Sequence, residues 1–303
     1  MGGSKTVGEA RLTSAAQLYL DLMKRCLSFA IWGEPLRKYV PPRPRGLRSL
    51  LAWLLLQMLE RRSKAIYFRP DYDPRFREEG RDHPLLAHTM IGLKRLNNIQ
   101  DCVMAVLTDG IPGDLIETGV WRGGSVIFMK AILQVCEDND RIVWVADSFE
   151  GLPAPGDKRY PADAGLTFHQ MEHLRVSEHE VAANFQAYGL LDQRVRFLKG
   201  WFKDTLPSAP IERLSVLRID GDLYESTMDS LRALYPKVSP GGFVIVDDYG
   251  DLPSCRQAVD DYREEMGITE TIQWADWSGV YWRKDTSGFG KGRVDSAQPT
   301  LAR

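Results

Sequence analysis

Apolar residues run through this chain in two rhythms. Up to about residue 107 they recur at helical spacing. Leu18, Leu22, Cys26 and Ala30 fall at i, i+4, with Ser14 placed to cap the helix and Gly33 to stop it. "VPPRPRG" (residues 40–46) reads as a stiff linker. The run "LLAWLLLQML" (residues 50–59) predicts a helix buried against the main domain or a partner subunit. Its ten residues are too few to span a bilayer, and its basic flanks leave an interfacial helix as the alternative. A long helix is predicted over residues 85–107, where glycine and proline are absent except for Gly92.

From residue 114 short apolar runs alternate with amphipathic stretches. "DLIETGV", "RIVWVADSF", "VRFLKG", "LSVLRID" and "GGFVIVDDY" read as strands, the last introduced by a turn at "SPGG". Helical stretches separate them, and "ETIQWAD" and "SGVYWRKD" close as a hairpin-like pair. The pattern predicts an α/β fold: a Rossmann-like, doubly wound, mostly parallel seven-stranded sheet with helices on both faces. Residues 1–65 are expected to form an N-terminal helical extension, 66–285 the main domain, and 286–303 a polar, disordered tail.

Composition narrows the function. A net charge of −2 with 26% charged residues gives no electrostatic footprint for nucleic acid. Cys26, Cys102, Cys136 and Cys255 are scattered, so neither zinc spacing nor a disulfide framework is expected, and a reducing cytoplasm fits. The N-terminus has no signal-peptide pattern.

The chemistry gathers at strand ends. The first strand runs into "ETGVWRGGSV", whose glycines let the backbone turn sharply and approach a ligand. The spacing matches neither G-x-G-x-x-G nor a P-loop. The second strand ends at Asp147, which can accept from both hydroxyls of a ribose, while Asp147 or Ser148 can equally cap the next turn. Both signals point to a nucleoside cofactor at the carboxyl edge of the sheet. Asp220 ends the fourth strand and Asp247–Asp248 the fifth. Adjacent in the sheet, these carboxylates repel unless a cation neutralises them, and an oxygen-only set suits Mg²⁺. Any one of them alone could instead cap a helix. The cation would acidify a substrate hydroxyl, and Asp222, two residues beyond Asp220, is the candidate general base. His83, His88, His169, His173 and His179 lie outside these motifs; His169 and His173 could share a helix face, but a loop role is expected.

"AHTMIGLKRLNNIQ", "GIPGDLIETGVWRGGSVIFM", "ADSFEGLP", "LRIDGDLYEST" and "GGFVIVDDY" together resemble the macrocin O-methyltransferase (TylF/MycF/NovP) family of class I S-adenosylmethionine-dependent methyltransferases, over roughly residues 67–284. The resemblance implies Mg²⁺-dependent O-methylation of a deoxysugar hydroxyl on a natural product. It implies Mg²⁺ ligands at Asp220, Asp247 and Asp248, and the base at Asp222. It implies cofactor contacts from Glu117, Thr118, Gly119, Val120, Trp121 and Ser125, from Asp147 and Ser148, from Thr89 and Met90, from Gly200 and Trp201, and from Asp220. It further implies a homo-oligomer, with no nucleic acid and no stable membrane span. The segment 153–180, expected as a lid, and the Pro- and Leu-rich segment 40–64 depart from the family pattern. A catechol-type O-methyltransferase is the competing reading. An NAD oxidoreductase is disfavoured, because no tyrosine has a lysine four residues on, and a degenerate binding module because all four aspartates are kept.

Overall fold

The computed structural model describes residues 12–285 apart from 34, 41–44, 63, 69, 70, 83 and 156–159. His83, much of the Pro-rich linker and the tail expected to be disordered thus lie outside the described residues.

The seven-stranded sheet is built as the sequence predicts. Its strands are β1 (Asp114–Thr118), β2 (Val143–Asp147), β3 (Val195–Lys199), β4 (Leu214–Ile219), β5 (Val238–Val246), β6 (Gln273–Trp274) and β7 (Val280–Arg283). The order is β3-β2-β1-β4-β5-β7-β6, with β1 to β5 parallel and β7 antiparallel to both neighbours. The order in which successive strands are added reverses between β1 and β4, so the loops leaving their carboxyl ends run to opposite sides and leave a crevice. The strands alternate their side chains between two cores. Leu115, Val145 and Val216 pack beneath helices α1 (Ser14–Leu27), α4 (Leu93–Thr108) and α5 (Gly124–Val135). Ile116, Ala146 and Leu217 pack beneath α8 (Tyr224–Leu234) and α9 (Pro253–Met266). Burial on both faces explains why these strands read as unbroken apolar runs.

Four local expectations change. In α1 Thr13, not Ser14, is the cap, accepting from the Ala16 N–H at 3.1 Å. Its buried face is Leu20, Met23 and Leu27, whereas Leu18 and Leu22 are 71% and 53% exposed. Both stripes are apolar, and packing on α5 selects the i, i+3, i+7 set; the helix stops at Leu27, short of Gly33. The predicted helix over 85–107 begins only at Leu93. Gly92 is its N-cap, and a Cβ there would lie 2.2 Å from the Gly80 nitrogen, so the chain bends where α3 (Pro74–Glu79) ends against it. "SPGG" is not a turn ahead of β5 but part of it, crossed by a register shift opposite Leu214–Val216. Finally, α2 (Leu47–Arg61) is not buried against the main domain: it buries none of its side chains, and Leu50, Leu51, Leu54, Leu55 and Met58 face outward, as a partner subunit or an interface would require. No helix among the described residues is long and apolar enough to cross a membrane.

Candidate active site

The carboxyl edge of β1, β2, β4 and β5 opens into a cavity of about 900 Å³. Its floor is set by Gly119, just after β1. Its φ is +85°, and a Cβ there would sit 1.8 Å from the Asp220 carbonyl oxygen, so only glycine lets the β1 and β4 ends come this close. Val120 and Trp121 follow on the cavity wall, Trp121 with a φ of +47°. Such left-handed backbone in a bulky residue is strained and clusters at functional sites.

Asp147, at the end of β2, accepts the Val120 N–H on Oδ2 and the Phe149 N–H on Oδ1, each at 2.8 Å. Burial nevertheless holds its carboxyl above the ordinary range, against those N–H groups, that of Trp121 and the Ser148 hydroxyl. A carboxylate offers about four acceptor positions; the Val120 and Phe149 N–H groups fill two, and the Ser148 hydroxyl, at 3.4 Å, and the Trp121 N–H hold the others only loosely, where a ligand's hydroxyls could replace them. The cap reading and the ribose reading are thus compatible. Ser148 closes the adjoining turn, donating to the Gly151 carbonyl at 2.6 Å and accepting from the Glu150 N–H. Gly200 donates its N–H to the Asp147 carbonyl at 2.9 Å, and with Trp201 it lines the cavity. Thr89 and Met90 line it as well. The His88 and Thr89 N–H groups donate to the Leu27 carbonyl, and the His88 carbonyl accepts the Gly124 N–H at 2.8 Å. The broken start of the predicted long helix is thereby pinned over the start of α5. Ser125 also lines the cavity. Glu117 and Thr118 do not; they lie buried beneath it.

The acidic residues converge, in a different grouping from the expected one. Asp220, Asp222 and Asp248 each bring a carboxylate oxygen within 4.8 Å of the others. Asp247 lines the same cavity but falls outside that trio, its two carboxylate oxygens gripped by the guanidiniums of Arg95 and Arg218. Arg218 also pairs with Glu117, and with Asp220 at 3.0 Å, while Arg95 pairs with Asp276 at 2.9 Å. Glu117 is wholly buried, takes the Ser125 hydroxyl and the Arg218 guanidinium on Oε1, and leaves Oε2 without a hydrogen-bond partner.

Six carboxylates (Glu117, Asp220, Asp222, Asp247, Asp248 and Asp276) thus meet two guanidiniums, Arg95 and Arg218. The excess of negative charge shows in the acidities. Burial, then Asp247, lifts Asp220 to about 6; burial, then Asp220, lifts Asp222 to about 8. Burial, then Asp222, puts Asp248 well above the usual range, and burial lifts Glu117 to about 7 despite Arg218. Arg218 stays firmly charged: burial opposes its charge, but Asp247, Glu117 and Asp220 prevail. An oxygen-only trio, without His or Cys and with uncompensated charge, fits a hard divalent cation. His88 instead bonds Tyr188 through Nδ1 at 2.8 Å, and His173 offers its backbone carbonyl to the Trp121 indole N–H at 2.8 Å.

Sequence reasoning missed Arg218, Arg95 and Asp276. The signal for Arg218 was visible: a lone charge inside the apolar strand "LSVLRID" must meet partners. It also missed Trp277 and Arg81, which stack at 4.4 Å on the cavity rim, and Phe168, Met171 and Leu174 of the 153–180 segment.

Comparison with known proteins fits this geometry. The family model for the macrocin O-methyltransferases (TylF) matches residues 16–284. A Streptomyces olivaceus protein, 8-demethyl-8-(2,3-dimethoxy-α-L-rhamnosyl)-tetracenomycin-C 4'-O-methyltransferase, is 51% identical over 271 residues, covering 89% of this chain and 93% of that protein. Demethyldecarbamoylnovobiocin O-methyltransferase of Streptomyces niveus is 48% identical, covering 89% and 95%. The solved structure of the O-methyltransferase NovP superposes with a TM-score of 0.77 at 48% identity, over 89% of this chain and 99% of that one. With the motifs, fold and cavity in agreement, this chain belongs to the macrocin O-methyltransferase (TylF) family and is an S-adenosylmethionine-dependent O-methyltransferase.

Proposed function

We propose that the enzyme methylates a hydroxyl of a sugar carried by a natural product, with Mg²⁺ held by Asp220 and Asp248 and with Asp222, the third carboxylate of the trio, as the general base. The observation that carries this reading is the carboxylate trio in the same cavity as Asp147 and the Gly119 turn. The Streptomyces olivaceus relative supports the sugar, since its name places the methyl on an oxygen of a rhamnosyl tetracenomycin. Mg²⁺, when bound, would supply Lewis acidity toward a substrate hydroxyl and offset the surplus carboxylate charge.

The chain's own residues do the rest. Asp147 has acceptor capacity for the ribose of the methyl donor, and the Gly119 turn leaves room for its methionine half. Burial and then Asp220 raise the Asp222 carboxyl to about 8 in the metal-free trio; beside Mg²⁺ that value would fall, leaving a carboxylate able to take the hydroxyl proton near neutral pH. Asp247, neutralised by Arg95 and Arg218, is placed to shape the trio rather than to lead it, although rotation away from Arg95 would return it to the ligand set suggested by the family. The outward-facing leucines of α2 support a homo-oligomer, and the free thiols suit the cytoplasm.

The test is methyl transfer from S-adenosylmethionine, with Mg²⁺ or with EDTA, to a panel: the demethylated rhamnosyl tetracenomycin, demethyldecarbamoylnovobiocin and a simple catechol. A single added methyl on a glycosylated member, abolished by EDTA, is expected. Methylation of the catechol alone would favour the phenolic-diol reading instead.

A further inference from the structure

Asp163 takes no part in the chemistry described so far, yet it is a carboxylate only 3% exposed. It closes a short turn, Pro161–Asp163, in the segment that runs on to border the cavity. Its Oδ1 accepts the Tyr224 N–H at 2.6 Å and its Oδ2 the Glu225 N–H at 3.1 Å. These are the first two N–H groups of α8, whose own N-cap residue, Leu223, brings no side-chain acceptor. A residue some 61 positions earlier therefore caps the helix. The ring of Tyr160 lies against that of Tyr224, 5.6 Å between centroids, and fastens the same junction.

The start of α8 is also the end of the acidic loop. The Leu223 N–H donates to the Gly221 carbonyl at 2.5 Å, closing a three-residue turn with Asp222 at its centre. Asp222 has a φ of +56°. Three-residue turns with a positive central φ are the rare, strained kind, and such strain persists only where the surroundings hold it. Three contacts do so. The Ser254 hydroxyl donates to the Asp222 carbonyl at 3.1 Å, the Asp222 N–H points at Asp248 Oδ2 at 3.4 Å, and Asp163 grips Tyr224 and Glu225, two and three residues further along the chain.

We infer that Asp163 is a positioning residue: by capping α8 from the 153–180 segment, it holds the strained turn that aims the Asp222 carboxylate at Asp220 and Asp248. The inference rests on the proposed role of Asp222. It also gives the segment a second task beside walling the acceptor space, because any rearrangement that frees Asp163 releases the base.

The test uses the full chain with Asp163→Ala and Asp163→Asn. Read out are S-adenosylhomocysteine affinity, Mg²⁺ affinity with the metal alone, turnover on the acceptor found by the panel, and amide exchange of Tyr224 and Glu225. For Asp163→Ala, S-adenosylhomocysteine affinity within about twofold of wild type, kcat down at least about tenfold and faster exchange at both amides are expected. Asparagine, which keeps one acceptor and caps well, is expected to recover kcat to within about threefold of wild type. Unchanged kcat in Asp163→Ala, a parallel loss of cofactor affinity, or failure of asparagine to rescue would each overturn the inference. Should Asp163→Ala not fold, Ser254→Ala removes another support of the same turn, and unchanged kcat there would overturn it too. A wild type that methylates no acceptor sinks the proposed function instead; Asp163 is then judged by Mg²⁺ affinity and amide exchange, and unchanged values in Asp163→Ala reject it.

Discussion

Arg218→Met takes the guanidinium from beneath the carboxylates while keeping most of its apolar stem. Arg218 is 1% exposed and serves Glu117, Asp220 and Asp247 at once. Removing one side of a buried ion pair costs about 3–5 kcal/mol, because the charge left behind has no partner. Here the abandoned groups can escape by binding protons, so the cost depends on pH. Glu117 and Asp220 already sit near 7 and 6, raised chiefly by burial. An acid whose folded pKa exceeds its unfolded value binds more protons folded than unfolded. Stability is therefore full below the unfolded value and falls as pH rises through the folded one. Loss of Arg218 lifts both acids further and widens that window upward. The deficit is thus expected to grow from pH 5.5 to pH 8. Near pH 8 the full deficit corresponds to roughly 6–20 °C in Tm, at about 2–4 °C per kcal/mol for a domain of this size; at pH 5.5 less than half of it should remain. Thermal unfolding of both proteins in EDTA at the two pH values is the assay. A deficit under about 1 kcal/mol at pH 8, of the size expected for exposed pairs, or one that shrinks as pH rises, would refute the reasoning.

Three further outcomes are expected. Asp222→Asn lowers kcat by roughly 10²–10⁴-fold, the usual worth of a general base, with S-adenosylhomocysteine affinity nearly intact by calorimetry; a wild-type rate would remove Asp222 from the chemistry. Gly119→Ala, whose methyl would meet the Asp220 carbonyl oxygen at 1.8 Å, costs at least about 1–3 kcal/mol and loses cofactor affinity, while an unperturbed variant would show that the β1 and β4 ends sit farther apart. Mg²⁺ affinity rises from pH 5.5 to pH 8, because Asp220 and Asp248 must shed protons to bind it; titrations in buffers of different ionisation enthalpy should reveal proton release, and pH-independent binding would argue for a site elsewhere.

Much of the fold could be read from the sequence because strands buried on both faces leave unbroken apolar runs, and Gly119, Asp147 and Asp220 punctuate their ends. What escaped was whatever tertiary packing decides. Residues 85–107 carry no helix breaker but Gly92, yet Gly92 must pass against Gly80, and the chain breaks there to carry Thr89 and Met90 over the cavity. Two apolar stripes on α1 were equivalent until α5 chose one. The convergence of the aspartates followed from strand order alone. Their grouping did not, because it depends on Arg95, which arrives from α4, and on Arg218, whose charge lay in plain sight inside a strand. Asp163 had no sequence signal, since its partners are backbone N–H groups of a helix distant in the chain.

The central claim is that Asp220 and Asp248 hold, beside the base Asp222, the Mg²⁺ on which sugar O-methylation depends. Its most direct test is the initial rate of methyl transfer to the responsive glycosylated acceptor as free Mg²⁺ is varied, for wild type and Asp248→Asn. The account predicts saturable activation in wild type, no turnover in EDTA, and for the variant a requirement for at least about tenfold more Mg²⁺, as expected on losing one charged ligand. Full turnover in EDTA, or an unchanged Mg²⁺ requirement in the variant, would contradict it.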